Sequence, residues 1–296
     1  MVLSIYSDIG LVNYKWSSCW KSDKIMDLSS LDINAPNLGK DFKEHCVFTQ
    51  LDYLISFYDA LSYTTMGFVS SGVIGVINLN THVFTSIKGT LDSIKLVLNN
   101  GRINDAYALL RKYYDSTIIN VYTNLYIEDN SSLEKYIVDK IQNWIKGTDK
   151  LATYGEMSQY IRKSERLKPI TDLILVNKNY TNIRQRCNDH LHYNYYHNII
   201  YNDNQAYLEN RVKYLGVFSN DLKAVFIQHF AYFFYLMDHY MMSTDYVDYK
   251  DVGMTPPQDS QYWVASFIQD AFDNWIKPNR PDIAEAILTN TMMQLK

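Results

Sequence analysis

The chain has 296 residues, with 28 basic and 32 acidic side chains and a formal charge of −4. That balance demands no polyanionic partner, although a local basic face can serve one inside an acidic total. Hydrophobic residues make up 47% of the chain, enough for one large domain or two ordinary ones. The three cysteines, Cys19, Cys46 and Cys187, fit neither a secreted disulfide framework nor a CxxC zinc pair.

The segment Met1 to Asp8 has no basic stretch leading into an apolar one, so no signal peptide is read there and a cytoplasmic location is expected. Residues 1–44 are the least periodic part of the chain. Trp16 and Trp20 flank Cys19, and Pro36 and Gly39 punctuate a polar stretch, which predicts an irregular arm anchored by its tryptophans.

Helical periodicity begins at Phe48, where Leu51, Leu54, Phe57 and Leu61 form one stripe to about Tyr63. The Gly67 to Gly75 stretch is not a phosphate loop, because no Gly-Lys-Ser/Thr follows it. A helix over Thr81 to Leu98 is predicted to end at Asn99-Asn100-Gly101, which suits a left-handed cap. Asp105 to Tyr126 carries an apolar face wide enough to pack against two neighbours or more. Arg111 and Asp115, one turn apart, can pair at its rim.

Asn130, Ser131 and Ser132 offer caps for a helix through about Lys146, ended by Gly147, and Thr153 with Glu156 has capping-box spacing. Leu167 to Val176 predicts a short helix. Asn204 to Tyr240 predicts one long helix or two, with Ser219-Asn220-Asp221 as the natural interruption. Its apolar part, Ala224 to Met237, is broken by Gln228 and His229 and is shorter than the about 20 residues of a membrane span. A loop with Gly253, Pro256 and Pro257 precedes a tail helix from about Gln258 that is expected to stop before Pro278, and a last helix opens at Pro281. The whole predicts an all-α fold, divided into an arm (1–44), a helical bundle (45–250), and a C-terminal loop and helices (251–296) packed on that bundle.

The densest polar cluster runs from Arg184 to His197 and holds Arg184, Arg186, Asn188, Asp189, His190, His192, Asn194 and His197. At 3.6 residues per turn, Arg186 and His190 share a helix face, and so do His190, Asn194 and His197. Arg186 and His192 lie about 120° apart on an ideal helix. A solvent-facing helix with histidines bonded to tyrosines accounts for this pattern as well as a catalytic site does. Elsewhere, His229, Asp238 and His239 read as core-edge residues, and Asp245, Asp248 and Asp251 as an acidic loop. Neither group predicts a metal site.

The stretch from Thr90 to Asp115, where one helix ends in Gly101 and the next carries Ala108-Leu109-Leu110-Arg111, resembles the paired long helices of HEPN-like helical-bundle proteins. Tyr180 to His192 resembles their second signature, an arginine with a histidine a few residues further on. Arg186 and His192 fit that spacing, as do Arg184 and His190. Cys187 follows Arg186 where the family usually carries a small polar residue, and Asn188 stands one place later.

The resemblance implies a HEPN-like bundle that cleaves RNA without metal or cofactor, in a cleft between two subunits of a homodimer. It implies a role in phage defence or a toxin–antitoxin pair, with an antitoxin or regulatory protein as a further partner and no membrane. Arg186 would hold the phosphate, His192 would exchange the proton with the attacking 2′-hydroxyl or the leaving oxygen, and Asn188 would position them. Arg184 and His190 form the alternative pair, with Asp189, Asn194 and His197 as supporting residues. Two other readings stay open. One is a catalytically inactive scaffold on the same fold, binding RNA or protein. The other is an all-α sensor with a small-molecule pocket lined by some of the 26 tyrosines.

Overall fold

Three helix ends show local chemistry setting the boundary. Thr153 and Glu156 form a reciprocal capping box: the Thr153 Oγ1 accepts from the Glu156 backbone N–H, and the Glu156 carboxylate accepts from the Thr153 N–H at 2.7 Å. Gly101, at φ 75°, reverses the chain after Asn99, with the Arg102 N–H bonded to the Val97 carbonyl at 3.0 Å. Pro281 stands in the first turn of the last helix, where its missing N–H costs nothing.

The computed structural model describes residues 38–64, 78–132, 138–176, 178–203, 205, 208–238, 249, 252–255, 264–291, 293 and 295–296. Their order is α1 (Lys40–Lys43), α2 (Val47–Thr64), α3 (Leu79–Asn99), α4 (Ile103–Asn130), α5 (Asp139–Ile145), α6 (Tyr154–Lys163), α7 (Lys168–Leu175), α8 (Asn179–Leu191), α9 (Tyr196–Ile200), α10 (Arg211–Leu236), α11 (Ser266–Ala271) and α12 (Pro281–Asn290). The class is all-α. None of these helices is long and apolar enough to cross a membrane. The tryptophans and Cys19 of the expected arm, the Gly67 to Gly75 stretch and Asp245, Asp248 and Asp251 lie outside the described residues. Within 38–44, Phe42 of α1 is buried in the main core.

α4 is the axial element. It packs against α3, α6, α8 and α10 and buries a broad face, from Ile103 and Tyr107 to Tyr122 and Leu125, while Lys112 stays exposed. A face this broad is covered by several neighbours rather than laid on one surface. α10 crosses it with a run of aromatics. Phe226 meets Phe57 of α2 edge-on at 5.0 Å, and Phe233 meets Phe84 of α3 at 5.1 Å. α11, the turn that follows it and α12 add Ile268, Phe272, Ile276, Ile283 and Ile287 to the same core.

One open choice is resolved, that of one helix or two over 204–240, and one expected stop is corrected. α10 runs unbroken through Ser219-Asn220-Asp221. Ser219 donates sideways to Gln50 Oε1 at 2.5 Å and Asp221 is engaged by Arg186, so these polar side chains answer partners on other helices instead of capping their own. The tail helix does not stop before Pro278 either. α11 widens into a π-helical turn at Phe272–Ile276 and continues as Lys277–Asn279, so the helix passes the proline ring just after this wide turn.

A buried polar chain ties α2, α3, α4 and α10 together. Asn80 Oδ1 accepts from Asn120 Nδ2 at 2.9 Å and Asn124 Nδ2 at 2.8 Å. Asn120 Oδ1 is then the acceptor facing His229 Nε2 at 2.9 Å, so that nitrogen carries the proton. His229 Nδ1 in turn accepts from the Tyr58 hydroxyl at 2.7 Å, and Tyr58 accepts from Tyr113 at 3.0 Å. Expected at the core edge, His229 is therefore a fully enclosed linker, 3% exposed.

Candidate functional site

α8 carries the polar cluster and lies against α4, with further contacts to α10. Its inward face is set by Ile183, Cys187 and His190, all buried. The remaining polar residues of the cluster fan out around that face into three distinct environments.

The first environment centres on Tyr107 of α4. Arg186 grips Asp221 of α10 with both arms of its fork, Nε to Oδ2 at 2.8 Å and Nη2 to Oδ1. The Tyr107 hydroxyl also donates to Asp221, at 3.4 Å. His190 stacks on the Tyr107 ring at 4.0 Å and meets Asn104 Oδ1 through Nδ1 at 2.9 Å. Arg186 and His190 thus share a face, as their spacing predicts. Burial pushes the His190 imidazole down to about 4, which keeps it neutral. Burial likewise raises the Cys187 thiol to about 12, so it is no nucleophile at ordinary pH.

The second environment surrounds Asp115 of α4. Arg111 Nε bonds its carboxylate at 3.0 Å and Arg184 Nη1 bonds it at 2.5 Å. Arg111 also donates through Nη1 to Asn188 Oδ1, and the Arg184 guanidinium lies 3.2 Å from the centre of the Tyr154 ring of α6. Burial raises the Asp115 carboxyl, and the charge and hydrogen bond of Arg111 pull it partly back.

The third environment is the exposed corner where α8 ends. The helix stops at Leu191, so Asn194 and His197 do not continue the His190 face, in contrast to the spacing argument. Asn194 N–H bonds the Asp189 carbonyl at 3.0 Å, and its Nδ2 bonds Asp189 Oδ1 at 2.7 Å. Tyr193 sits between them at φ 50°, the left-handed position usually given to glycine. His192 is exposed at the cap, with Tyr193, Tyr195 and Tyr196 exposed beside it. His197 stacks on Tyr195 at 5.5 Å. Arg186 therefore faces the Asp221 side of α8 while His192 faces solvent at its end, and no hydrogen bond among the described residues joins the two.

Between α4, α6, α8 and α10, with Leu175 of α7 at its edge, lies a cavity of about 320 Å³. Tyr114, Tyr180, Tyr232, Ile118 and Ile161 form its depths, Tyr154 and Ser158 one wall, and Arg184, Arg162 and Thr181 its cationic and polar rim. Gln228 of α10 is 5% exposed and lines the cavity with an Oε1 that has no hydrogen-bond partner. Burial raises the phenols of Tyr114, Tyr154 and Tyr232, and that of Tyr180 to about 12, so all four remain neutral donors at ordinary pH.

Within each helix the lining residues stand one turn apart, as Tyr114 and Ile118, Tyr154 and Ser158, Tyr180 and Arg184, and Gln228 and Tyr232 do, but nothing in the sequence brings those helices around one cavity. The one local signal was Gln228 itself, a polar residue interrupting the apolar run of α10. Among the described residues, no group of three or more His, Cys, Asp or Glu side chains is placed to hold a metal ion. The chain matches no protein-family model, no curated protein and no solved structure.

Proposed function

We propose that this chain is an all-helical ligand-binding module whose small-molecule site is the tyrosine-lined cavity between α4, α6, α8 and α10. One observation carries the reading. The Gln228 Oε1 is buried in the cavity wall without a donor. A buried unsatisfied acceptor costs about 1–3 kcal/mol, which a ligand donor recovers on binding. The cavity volume falls at the lower end of the range for small-ligand sites, and its lining is about as polar as apolar, with ring faces beside convergent hydrogen-bonding groups.

Thermal unfolding of the purified chain against a panel of aromatic, aliphatic, anionic and cationic compounds tests this. A ligand that binds only the folded state raises Tm with concentration. A substitution that fills the cavity, Ser158→Trp, should remove that shift. A panel in which no compound raises Tm would end the reading.

A second reading, RNA cleavage in the manner of the HEPN-like proteins, places the chemistry at the α8–α9 corner. It is supported by the exposure of His192 beside three exposed tyrosines, since aromatic rings stack on unpaired bases and would hold a strand within reach of the imidazole. The engagement of Arg186 by Asp221 counts against it, because the guanidinium would have to leave a carboxylate to grip a phosphate.

A further inference from the structure

Resting on the binding-module reading, we infer that the cavity takes a small aromatic anion, with its ring among the tyrosines, an N–H or O–H donor on Gln228, and a carboxylate or phosphoryl group at Arg162 and Arg184. Three features fix those parts.

The depths are built of neutral rings and branched aliphatics. Tyr114 and Tyr154 meet edge-on at 6.0 Å, leaving faces and edges that suit a planar guest. A flexible aliphatic chain would gain less from such walls.

The only described buried orphan in the lining is an acceptor. The Gln228 amide hydrogen-bonds the Tyr114 phenol and leaves its Oε1 open to a donor from the guest, whereas an acceptor placed against it would add repulsion to an unpaid desolvation. This excludes guests that present only ether or carbonyl oxygens at that depth.

The rim carries excess positive charge. Arg162 spends its Nε and Nη2 on the Ser158 carbonyl and hydroxyl, at 3.1 and 2.9 Å, and meets no carboxylate among the described residues. Arg184 shares the single Asp115 carboxylate with Arg111. Three guanidiniums thus face one carboxylate around Tyr154. Arginine forks match the oxygens of a carboxylate or a phosphoryl group in the same way, so the shared chemistry is a planar ring with an anionic head.

Calorimetry on the full chain separates the two sources. One arm titrates 4-aminobenzoate against its neutral counterpart 4-aminobenzamide; the other titrates AMP against adenosine. The anion of at least one arm is expected to bind about tenfold or more tightly than its neutral analogue, and less tightly as salt rises. The tighter arm assigns the head group.

Arg162→Ala, at an exposed position, should reduce that anion to the affinity of the neutral compound. Gln228→Leu should weaken every guest carrying the donor while leaving the Tm of the empty protein equal or higher, since the orphan acceptor is gone. A lower Tm would mean that Gln228 serves the fold, and would overturn its role as ligand acceptor. If neutral and anionic analogues bind equally, the anion assignment falls while the binding-module reading survives. If no compound binds in either arm and the broader panel is also silent, both fall.

Discussion

Arg186 and Asp221 form a two-armed ion pair that joins α8 to α10, with the carboxylate 4% exposed and the guanidinium 37% exposed. Burial raises the Asp221 carboxyl, and the hydrogen bonds and charge of Arg186 pull it back. Removing only the arginine strands a buried carboxylate. Arg186→Met should therefore lower unfolding free energy by about 2–4 kcal/mol, the lower part of the range for a broken buried pair because the guanidinium is partly solvated. The double substitution Arg186→Met with Asp221→Leu should recover most of it. Denaturant titration of the four proteins gives the coupling directly, and a double variant as weak as the single would show that the pair is not what holds these helices.

The two buried histidines should titrate abnormally. Burial holds His190 at about 4, against an ordinary 6.5. The His229 imidazole is held lower still, at about 3. Below about pH 6.5 the unfolded chain takes up these protons first, so each histidine's contribution is fully present above that value. It is lost as pH falls toward the folded value, at about 1.4 kcal/mol per pH unit for each. Asp115 and Asp221, whose carboxyls burial raises, act in the opposite direction, so a bulk acid melt mixes the signs. Imidazole NMR separates them. Both rings should remain neutral at pH 5, and a midpoint near 6.5 for either would refute its enclosure.

Tyr193 occupies a left-handed backbone position at the end of α8 with its side chain largely in solvent. A non-glycine residue there carries about 1–2 kcal/mol of backbone strain, partly offset on substitution because glycine frees the unfolded chain. Tyr193→Gly should stabilise the protein by about 0.5–1 kcal/mol. A loss of stability would mean that the tyrosine ring packs usefully on its neighbours.

Much of the fold was readable because its signals are local. The Thr153–Glu156 box, the Gly101 reversal and Pro281 each act within one turn of chain, and each stands where the pattern put it. The choice between one helix and two at Ser219 to Asp221 stayed open for the opposite reason. Those residues favour caps only when nothing else claims their side chains, and here Gln50 and Arg186 do, from 169 and 35 residues away. Pro278 misled in a similar way, because a π-helical turn ahead of it is not a sequence-local signal. At the site, the shared face of Arg186 and His190 followed from helical period alone. That of Asn194 and His197 did not, because the chain turns at Tyr193. The cavity was legible only as an excess of tyrosine and as Gln228 interrupting an apolar run, since its walls are assembled by packing.

The last prediction separates the two functional readings. Arg186 is a poor probe of RNA cleavage, because its loss disturbs the Asp221 contact whether or not it touches RNA. His192 is a clean one, since it is exposed at a helix cap and its removal should change stability by less than about 0.5 kcal/mol. If the corner cleaves RNA, the purified chain will yield fragments ending in a 2′,3′-cyclic phosphate in the presence of a chelator, and His192→Ala will yield none while keeping its helicity. Equal cleavage by the variant removes the imidazole from the chemistry. Absence of cleavage by the unaltered chain, alongside a ligand-dependent rise in Tm, leaves the tyrosine cavity as the working site of the molecule.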